Sequence, residues 1–162
     1  MSPDPDHQGT GGQTSEELVP LVPALMRSYR PDVVLLMIGT NDVDVRVDLA
    51  NAPARLASLI DKIVNTSSDA ALVVAQIVPT TDATTDARVR TFNAAIPAIV
   101  KARADAGKKV FLVDMHGAFT AVPNYKSALM KDRLHPNNAG YAVMAATWYA
   151  AIAEWLPHER MP

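Results

Sequence analysis

The sequence predicts an α/β fold in which helices cover both faces of a parallel sheet. Three short apolar runs carry this prediction, at 33–38, 71–77 and 110–113. Each run is nearly continuous, as is typical of strands buried on both faces of a parallel sheet. Helical patterns with apolar residues every three or four positions separate the runs. This order of elements predicts a layered sheet with right-handed crossovers.

The first helix is predicted over about 14–27, before the first strand. Thr14 and Glu17 have the spacing of a capping box, which favours a helix start at this point. Pro20 and Pro23 lie inside the segment, so we expect them to break the helix or to delay its start.

The second helix connects the first two strands, with Asn51 as its candidate N-cap and Pro53 in its first turn. The third helix ends at Gly107, a residue suited to helix C-termini, and Pro97 predicts a kink inside it. A last helix is predicted to begin near Asn137 or Asn138. Its apolar stripe consists of Tyr141, Met144, Ala145, Trp148, Ile152 and Trp155.

The composition is that of an ordinary globular domain, and we assign 1–162 to a single domain. The net charge of −2 and the lack of a basic run disfavour nucleic acids and anionic membranes as partners. Cysteine is absent, which excludes disulfides and thiolate metal sites. Segment 1–14 lacks the pattern of a signal peptide, so the protein is cytoplasmic or the sequence begins downstream of an export signal.

Two motifs carry the candidate chemistry. Asp132 precedes His135 by three residues, a spacing that lets a carboxylate hold one imidazole nitrogen and leave the other free as a general base. Asn41 follows the first apolar run, where its side-chain N–H can donate to a developing oxyanion. Ligands bind beyond the carboxyl ends of parallel strands. We therefore expect both motifs at one rim of the sheet, together with the loop at 76–82.

These residues resemble motif blocks of the SGNH hydrolases, also called the GDSL esterase/lipase family. Segment 39–42 is similar to the family's Gly-x-Asn-Asp block, and 132–135 is similar to its Asp-x-x-His block. Segment 6–13 resembles a weaker block in which a glycine N–H donates to the oxyanion, and this alignment assigns that role to Gly12. Within the family, the chain looks most like the family-three carbohydrate esterases, which remove acetyl groups from xylan.

The resemblance implies a flavodoxin-like three-layer α/β/α fold and hydrolysis of short acyl esters without a metal or a cofactor. It implies that His135 takes a proton from a serine, that Asp132 orients the imidazole, and that Asn41 and Gly12 hold the oxyanion. Substrate contacts are predicted for Thr40, Asp42 and Tyr125. For Asp42, its place in a loop also favours a structural role, tying the loop through backbone bonds.

One family block has no counterpart here. The serine nucleophile of the family lies in a Gly-Asp-Ser block after the first strand, and the sequence lacks this block and the first two strands. The run that begins at Val33 and ends at Ile38 is then a bare edge, and we expect homo-oligomers to form through it. Ser15 and Thr10 are weak candidates for a substitute nucleophile, because Ser15 is better suited to capping a helix.

Three interpretations of the gap remain open: a fragment of a longer enzyme, a chain that pairs with a second copy, and a short variant that uses another nucleophile or activates water. A non-catalytic module that binds carbohydrate is an alternative from another functional class. The remaining histidines, His7, His116 and His158, are expected at the surface or in loops. The charged positions Asp42, Asp44, Arg46 and Asp48 are expected to form a solvated loop that flanks the site.

Overall fold

The computed structural model describes residues 9–156, which contain eight α-helices and three β-strands, with at least one helix between successive strands. The elements before the second strand are α1 (Ser15–Leu18), α2 (Val22–Tyr29), β1 (Val33–Leu36), α3 (Thr40–Asp44) and α4 (Ala52–Thr66). The elements after it begin with β2 (Ala71–Ala75) and continue with α5 (Ala83–Asp105), β3 (Val110–Val113), α6 (Met115–Thr120), α7 (Tyr125–Ala128) and α8 (Asn138–Ile152). Short 3₁₀ turns occupy Leu49–Asn51 and Ala153–Trp155.

The three strands form one parallel sheet in the order β1-β2-β3. Leu36 lies beside Val74, and Val74 lies beside Leu112, so the strands end close to the same level. The predicted α/β class with a three-stranded parallel sheet is confirmed. The segments that leave the carboxyl ends of β1, β2 and β3 therefore meet at one rim of the sheet.

Two apolar clusters fill the two faces of the sheet, which gives the three layers. On one face, Leu72 and Val74 of β2 pack with the buried sides of α2, α4 and α5. On the other face, Val73 and Ala75 pack with α6 and with the inner side of α8. Successive side chains of a strand point to opposite faces, and β2 lies between the other two strands, so it is the most deeply buried strand.

The first predicted helix is interrupted, as its prolines suggested. It is divided into α1 and α2, and Glu17 reaches back to accept a hydrogen bond from the Thr14 N–H at 2.7 Å. Pro23 lies at the start of α2, where its missing N–H costs no helical bond. Asn51 precedes α4 but does not cap it, because its side-chain amide donates to Asp48 at 2.8 Å.

Pro97 lies inside α5, which continues to its C-terminus at Asp105. A proline cannot donate to the carbonyl four residues earlier, which here belongs to Asn93. The side chain of Gln76 donates to that carbonyl at 3.1 Å instead. The Asn93 side chain also exchanges two hydrogen bonds with the backbone of Ile77, at 2.9 and 2.8 Å. The loop after β2 is therefore fastened to α5 at the position that proline leaves open.

The last helix is more exposed than its apolar sequence predicted. Trp148 packs against the sheet as expected, but Tyr141 is 53% exposed and lies outside the core. Trp155 lies in the 3₁₀ turn after α8 and packs on Phe111, with ring centroids 4.7 Å apart. No helix within 9–156 combines the length and the apolar character that a membrane crossing requires.

Candidate active site

The turn between β3 and α8 brings the Asp132 carboxylate against the His135 imidazole. The two carboxylate oxygens lie 3.0 and 2.9 Å from His135 Nδ1. One of them also accepts hydrogen bonds from the backbone N–H groups of Leu134 and His135, each at 2.8 Å. The predicted contact is therefore present, and it leaves Nε2 as the free nitrogen of a side chain that is 67% exposed.

The electrostatics of this turn favour the charged carboxylate. The backbone N–H groups of Leu134 and then His135 lower the pKa of Asp132 from 3.8 to about 2. A lowered pKa means that the charged form stabilises the turn fully above about pH 4. This stabilisation is lost only as the pH falls towards 2. Asp132 therefore remains an acceptor for the imidazole throughout the neutral range.

Backbone hydrogen bonds close the same turn into a compact hairpin. Lys131 N–H donates to the His135 carbonyl at 2.8 Å, and Met130 and Pro136 form an isolated antiparallel bridge. Asn137 then caps α8, since its side chain accepts from the Gly140 N–H at 3.0 Å. These hydrogen bonds between residues close in sequence fix the position of His135 relative to the start of α8.

Arg133, between the two motif residues, joins this turn to the rest of the rim. Its guanidinium forms a two-pronged ion pair with Asp44 of α3, at 2.5 and 2.8 Å. Its carbonyl accepts from the Thr81 N–H, in the loop after β2, at 3.1 Å. Arg133 thus connects the Asp132–His135 turn to α3, which contains Asn41, and to the 76–82 loop. That Asn41 and His135 act on one substrate remains a prediction. The interpretation of Asp44 as part of a solvated loop was wrong, because its side chain is only 14% exposed.

The two predicted oxyanion donors lie in neighbouring segments. The Asn41 side chain donates to the carbonyl of Gln13 at 2.9 Å, which holds the turn at Gly11 and Gly12 beside the start of α3. Gly12 has a φ of +84° and is exposed. Within 9–156, the second N–H of the Asn41 amide has no hydrogen-bond acceptor. The other part of this block, at 6–8, lies outside the described residues.

Asp42 is fully buried, which corrects the prediction that it contacts substrate. One of its carboxylate oxygens accepts from both the backbone N–H and the hydroxyl of Ser15, at 2.9 and 3.2 Å. The other accepts from Arg55 Nε at 3.1 Å. The structural role, fastening the loop to neighbouring segments, is confirmed. Ser15 is equally buried, so it cannot present its hydroxyl to an ester beside His135.

The other weak candidates for site residues are placed as follows. Thr10 is exposed, Thr40 begins α3 and is half-buried, and neither has a hydrogen bond to His135. Tyr125 packs against the cluster on the α8 face, and its pKa is raised by burial and then by the nearby Asp86. Substrate contact by Thr40 and Tyr125 remains a prediction.

An open cavity of about 870 Å³ surrounds the imidazole. It is lined by Lys131, Asp132, His135, Pro136, Asn137, Asn138, Ala139 and Tyr141. The sequence reasoning missed Tyr141 because its apolar spacing suggested a core position. Tyr141 lies in the first turn of α8, shortly after His135, and this closeness in sequence could have identified it as a cavity residue.

Two groups that a hydrolase site often contains are not found within 9–156. No serine or threonine hydroxyl is hydrogen-bonded to His135 Nε2 there. In the same part of the chain, no three histidine, aspartate or glutamate side chains are placed to hold a metal ion.

Gly39 positions Asn41 through a backbone conformation that other residues rarely adopt. Its φ is +122°, and a Cβ at this position would lie 2.4 Å from the Phe92 ring. We expect Gly39→Ala to lower the free energy of unfolding by about 2–4 kcal/mol, the sum of backbone strain and overpacking. Urea denaturation measures the change. Gly11→Ala is the matched control, because a Cβ there meets nothing within 4 Å; equal effects of the two substitutions would contradict the prediction.

Comparison with known proteins assigns the family. The sequence profile of the GDSL-like Lipase/Acylhydrolase family matches residues 3–143. The chain belongs to this family, the SGNH hydrolases.

Among solved structures, the family 3 carbohydrate esterase of Clostridium thermocellum superposes with a TM-score of 0.80 and 30% identity, over 94% of this chain and 71% of that one. The acetylxylan esterase Axe2 of Geobacillus stearothermophilus superposes with a TM-score of 0.71 and 24% identity, over 87% of this chain and 68% of that one. The second similarity supports the fold alone.

Two curated relatives are longer than the matched region. A protein of Acetivibrio thermocellus, provisionally named endoglucanase X, is 35% identical over 124 residues, which are 76% of this chain and 51% of that protein. The multidomain esterase of Ruminococcus flavefaciens is 27% identical over 136 residues, which are 81% of this chain and 17% of that protein. The chain thus spans about half of the length of the first of these relatives and about a sixth of the second.

Proposed function

We propose that this chain forms the base and oxyanion part of a hydrolase for short acyl esters, with acetyl groups on carbohydrates as the substrate class. The observation that carries the proposal is the imidazole of His135, which the Asp132 carboxylate holds by one nitrogen and which lines an open cavity. The similarity to a carbohydrate esterase supports the choice of substrate class.

In the proposed mechanism, one pair of residues transfers the proton and another pair stabilises the oxyanion. His135 Nε2 removes the proton from an attacking hydroxyl, and Asp132 stabilises the imidazolium that forms. The carbonyl oxygen gains negative charge as the new C–O bond forms. The free amide N–H of Asn41 and the backbone N–H of Gly12 donate to that oxygen. The imidazolium then returns its proton to the leaving alkoxide, and the alcohol departs.

The identity of the attacking hydroxyl decides between two forms of this mechanism. A serine or threonine would be acylated before water releases the acid, whereas a water molecule would release the acid in one step. Ser15 is excluded by its burial. The proposal therefore treats the nucleophile as a group, from the polypeptide or from solvent, that enters the cavity beside Nε2.

The test combines turnover with covalent trapping. We expect the purified chain to hydrolyse p-nitrophenyl acetate and acetylated xylo-oligosaccharides above the buffer rate. A fluorophosphonate probe followed by mass spectrometry identifies an acylated side chain; turnover without labelling indicates attack by water. No turnover of either ester would contradict the proposal for this chain.

A non-catalytic carbohydrate-binding module is the second candidate. It is favoured by the observation that no hydroxyl within 9–156 is hydrogen-bonded to Nε2. Calorimetric binding of xylo-oligosaccharide by a chain that hydrolyses neither ester would select this candidate over the first.

We also propose that copies of the chain associate through the edge of β1. Within 9–156, this strand pairs with β2 alone, and its residue Leu35 is 43% exposed. A second copy added there would satisfy unpaired backbone groups and cover the apolar side chain. Sedimentation velocity should show a dimer that Leu35→Lys weakens. A wild-type chain that remains monomeric at about 100 μM, where even a weak edge contact would be populated, would contradict the proposal.

A further inference from the structure

We infer that Arg133 is a positioning residue, whose ion pair with Asp44 sets the place of the Asp132–His135 turn relative to Asn41. The inference rests on the proposed function, in which the imidazole and the amide act on the same ester. Neither Arg133 nor Asp44 touches the reacting atoms in this scheme. Their effect on the site is exerted through backbone position.

The geometry of the pair is that of a rigid clamp. Arg133 Nη1 and Nη2 each donate to a different oxygen of Asp44, at 2.5 and 2.8 Å. A planar guanidinium on a carboxylate constrains orientation as well as distance, which a lysine cannot do. The contact lowers the pKa of Asp44 and raises that of Arg133, so both groups remain charged.

Asp44 belongs to a part of the structure that several hydrogen bonds hold in place. Asp44 ends α3, three residues after Asn41, so the two side chains belong to one short rigid element. Buried Asp42 fastens that element to Ser15 and Arg55. Arg88 of α5 adds a hydrogen bond to the carbonyl of Val43 at 3.0 Å. A force on Asp44 therefore does not move α3 freely.

The Asp132–His135 turn contains Arg133, and its position depends on contacts with other segments of the chain. Its internal hydrogen bonds hold the imidazole to the carboxylate, but the Asp132 and His135 side chains are 49% and 67% exposed. Of the hydrogen bonds and ion pairs within 9–156, the pair with Asp44 alone joins this turn to α3. The Thr81 N–H, donating to the Arg133 carbonyl, holds the turn from the side of β2.

The test separates geometry from charge with three variants of the full chain. Arg133→Met removes the guanidinium and keeps the aliphatic part of the side chain. Arg133→Lys keeps the positive charge but loses the two-pronged geometry. Asp44→Ala removes the carboxylate that accepts both hydrogen bonds. Lys101→Met is the matched control, because it breaks an exposed ion pair with Asp105 far from the rim in sequence. Amide hydrogen exchange of Thr81 and His135, followed by NMR, is the readout.

We expect the two amides to exchange about tenfold faster in all three variants and at the wild-type rate in the control. A simple charge effect would instead leave Arg133→Lys like the wild type, and would move Arg133→Met and Asp44→Ala in opposite directions. Either that pattern, or rates within twofold of wild type, would overturn the inference.

The ester assay keeps this inference separate from the proposed function. With p-nitrophenyl acetate, Arg133→Met should lower kcat about tenfold and change KM less than twofold, as expected for misplaced catalytic groups. If the wild type hydrolyses the ester but the variants show unchanged amide hydrogen exchange, the positioning role of Arg133 is refuted and the proposed function stands. Faster exchange in the variants of a chain without turnover refutes the function and leaves the clamp as a structural device.

Discussion

Replacing His135 by alanine is expected to lower kcat/KM for p-nitrophenyl acetate by about 10²–10⁴-fold, the usual contribution of general acid–base catalysis. The imidazole offers Nε2 to the cavity while Asp132 holds Nδ1. Alanine removes the proton acceptor and leaves the oxyanion donors in place. The side chain is 67% exposed, so the loss of activity should come without loss of folded protein.

Asp132→Asn should lower the same rate through a different route. The amide keeps the size of the side chain but no longer stabilises an imidazolium. Because the pKa of Asp132 is about 2, this carboxyl should add no step to the wild-type pH–rate profile above pH 4. A step above pH 4 that Asp132→Asn abolishes would contradict this assignment.

His116→Ala is the control for the loss of a histidine. Its ring lies in α6 and does not line the cavity around His135. Circular dichroism establishes folding before rates are compared. Equal rates for the wild type and His135→Ala would remove His135 from the mechanism, and with it the proposed function.

The largest effect on stability is expected at Asp42. This carboxylate is fully buried and accepts hydrogen bonds from Ser15 and from Arg55. Asp42→Ala leaves the guanidinium, which is only 12% exposed, without its charged partner at that end. We expect a loss of about 3–5 kcal/mol in the free energy of unfolding, as is usual when one member of a buried pair is removed.

Arg55→Met tests the same contact from the other side, and should cost a similar amount because it leaves a buried carboxylate with Ser15 as its donor. The double variant should cost less than the sum of the single variants, because the residues share one interaction. Urea denaturation with constant m-values measures all three. Asp105→Ala, at a largely exposed ion pair, should stay within about 0.5 kcal/mol. An Asp42→Ala loss as small as that of the control would refute the buried role.

The sequence determined the elements whose signals are local. Continuous apolar runs identified the three parallel strands, and the central strand β2 is buried on both faces as such a run predicts. The outer strands are less buried than predicted, since Leu35, Phe111 and Leu112 are 41–43% exposed. The interruption of the first helix at Pro20 and the cap of α8 at Asn137 followed from residue type alone. Helices α3, α6 and α7 were not predicted, since four to six residues are too few to show a periodicity.

The contact between Asp132 and His135 was also predictable from the sequence. The two residues are three positions apart, and a turn of that length brings their side chains together whatever surrounds them. The same locality explains the lowered pKa of Asp132, which two backbone N–H groups of the turn produce.

Contacts between distant segments set which charged residues are buried and which aromatic residues line the cavity. Asp42 and Asp44 are two positions apart in one polar segment, yet Asp42 points into the interior towards Ser15 and Asp44 points to Arg133, 89 residues away. Tyr141 has the spacing of a core residue but lines the cavity. Spacing fixes which residues share a helix or a turn, whereas burial depends on contacts between distant segments that no local pattern encodes.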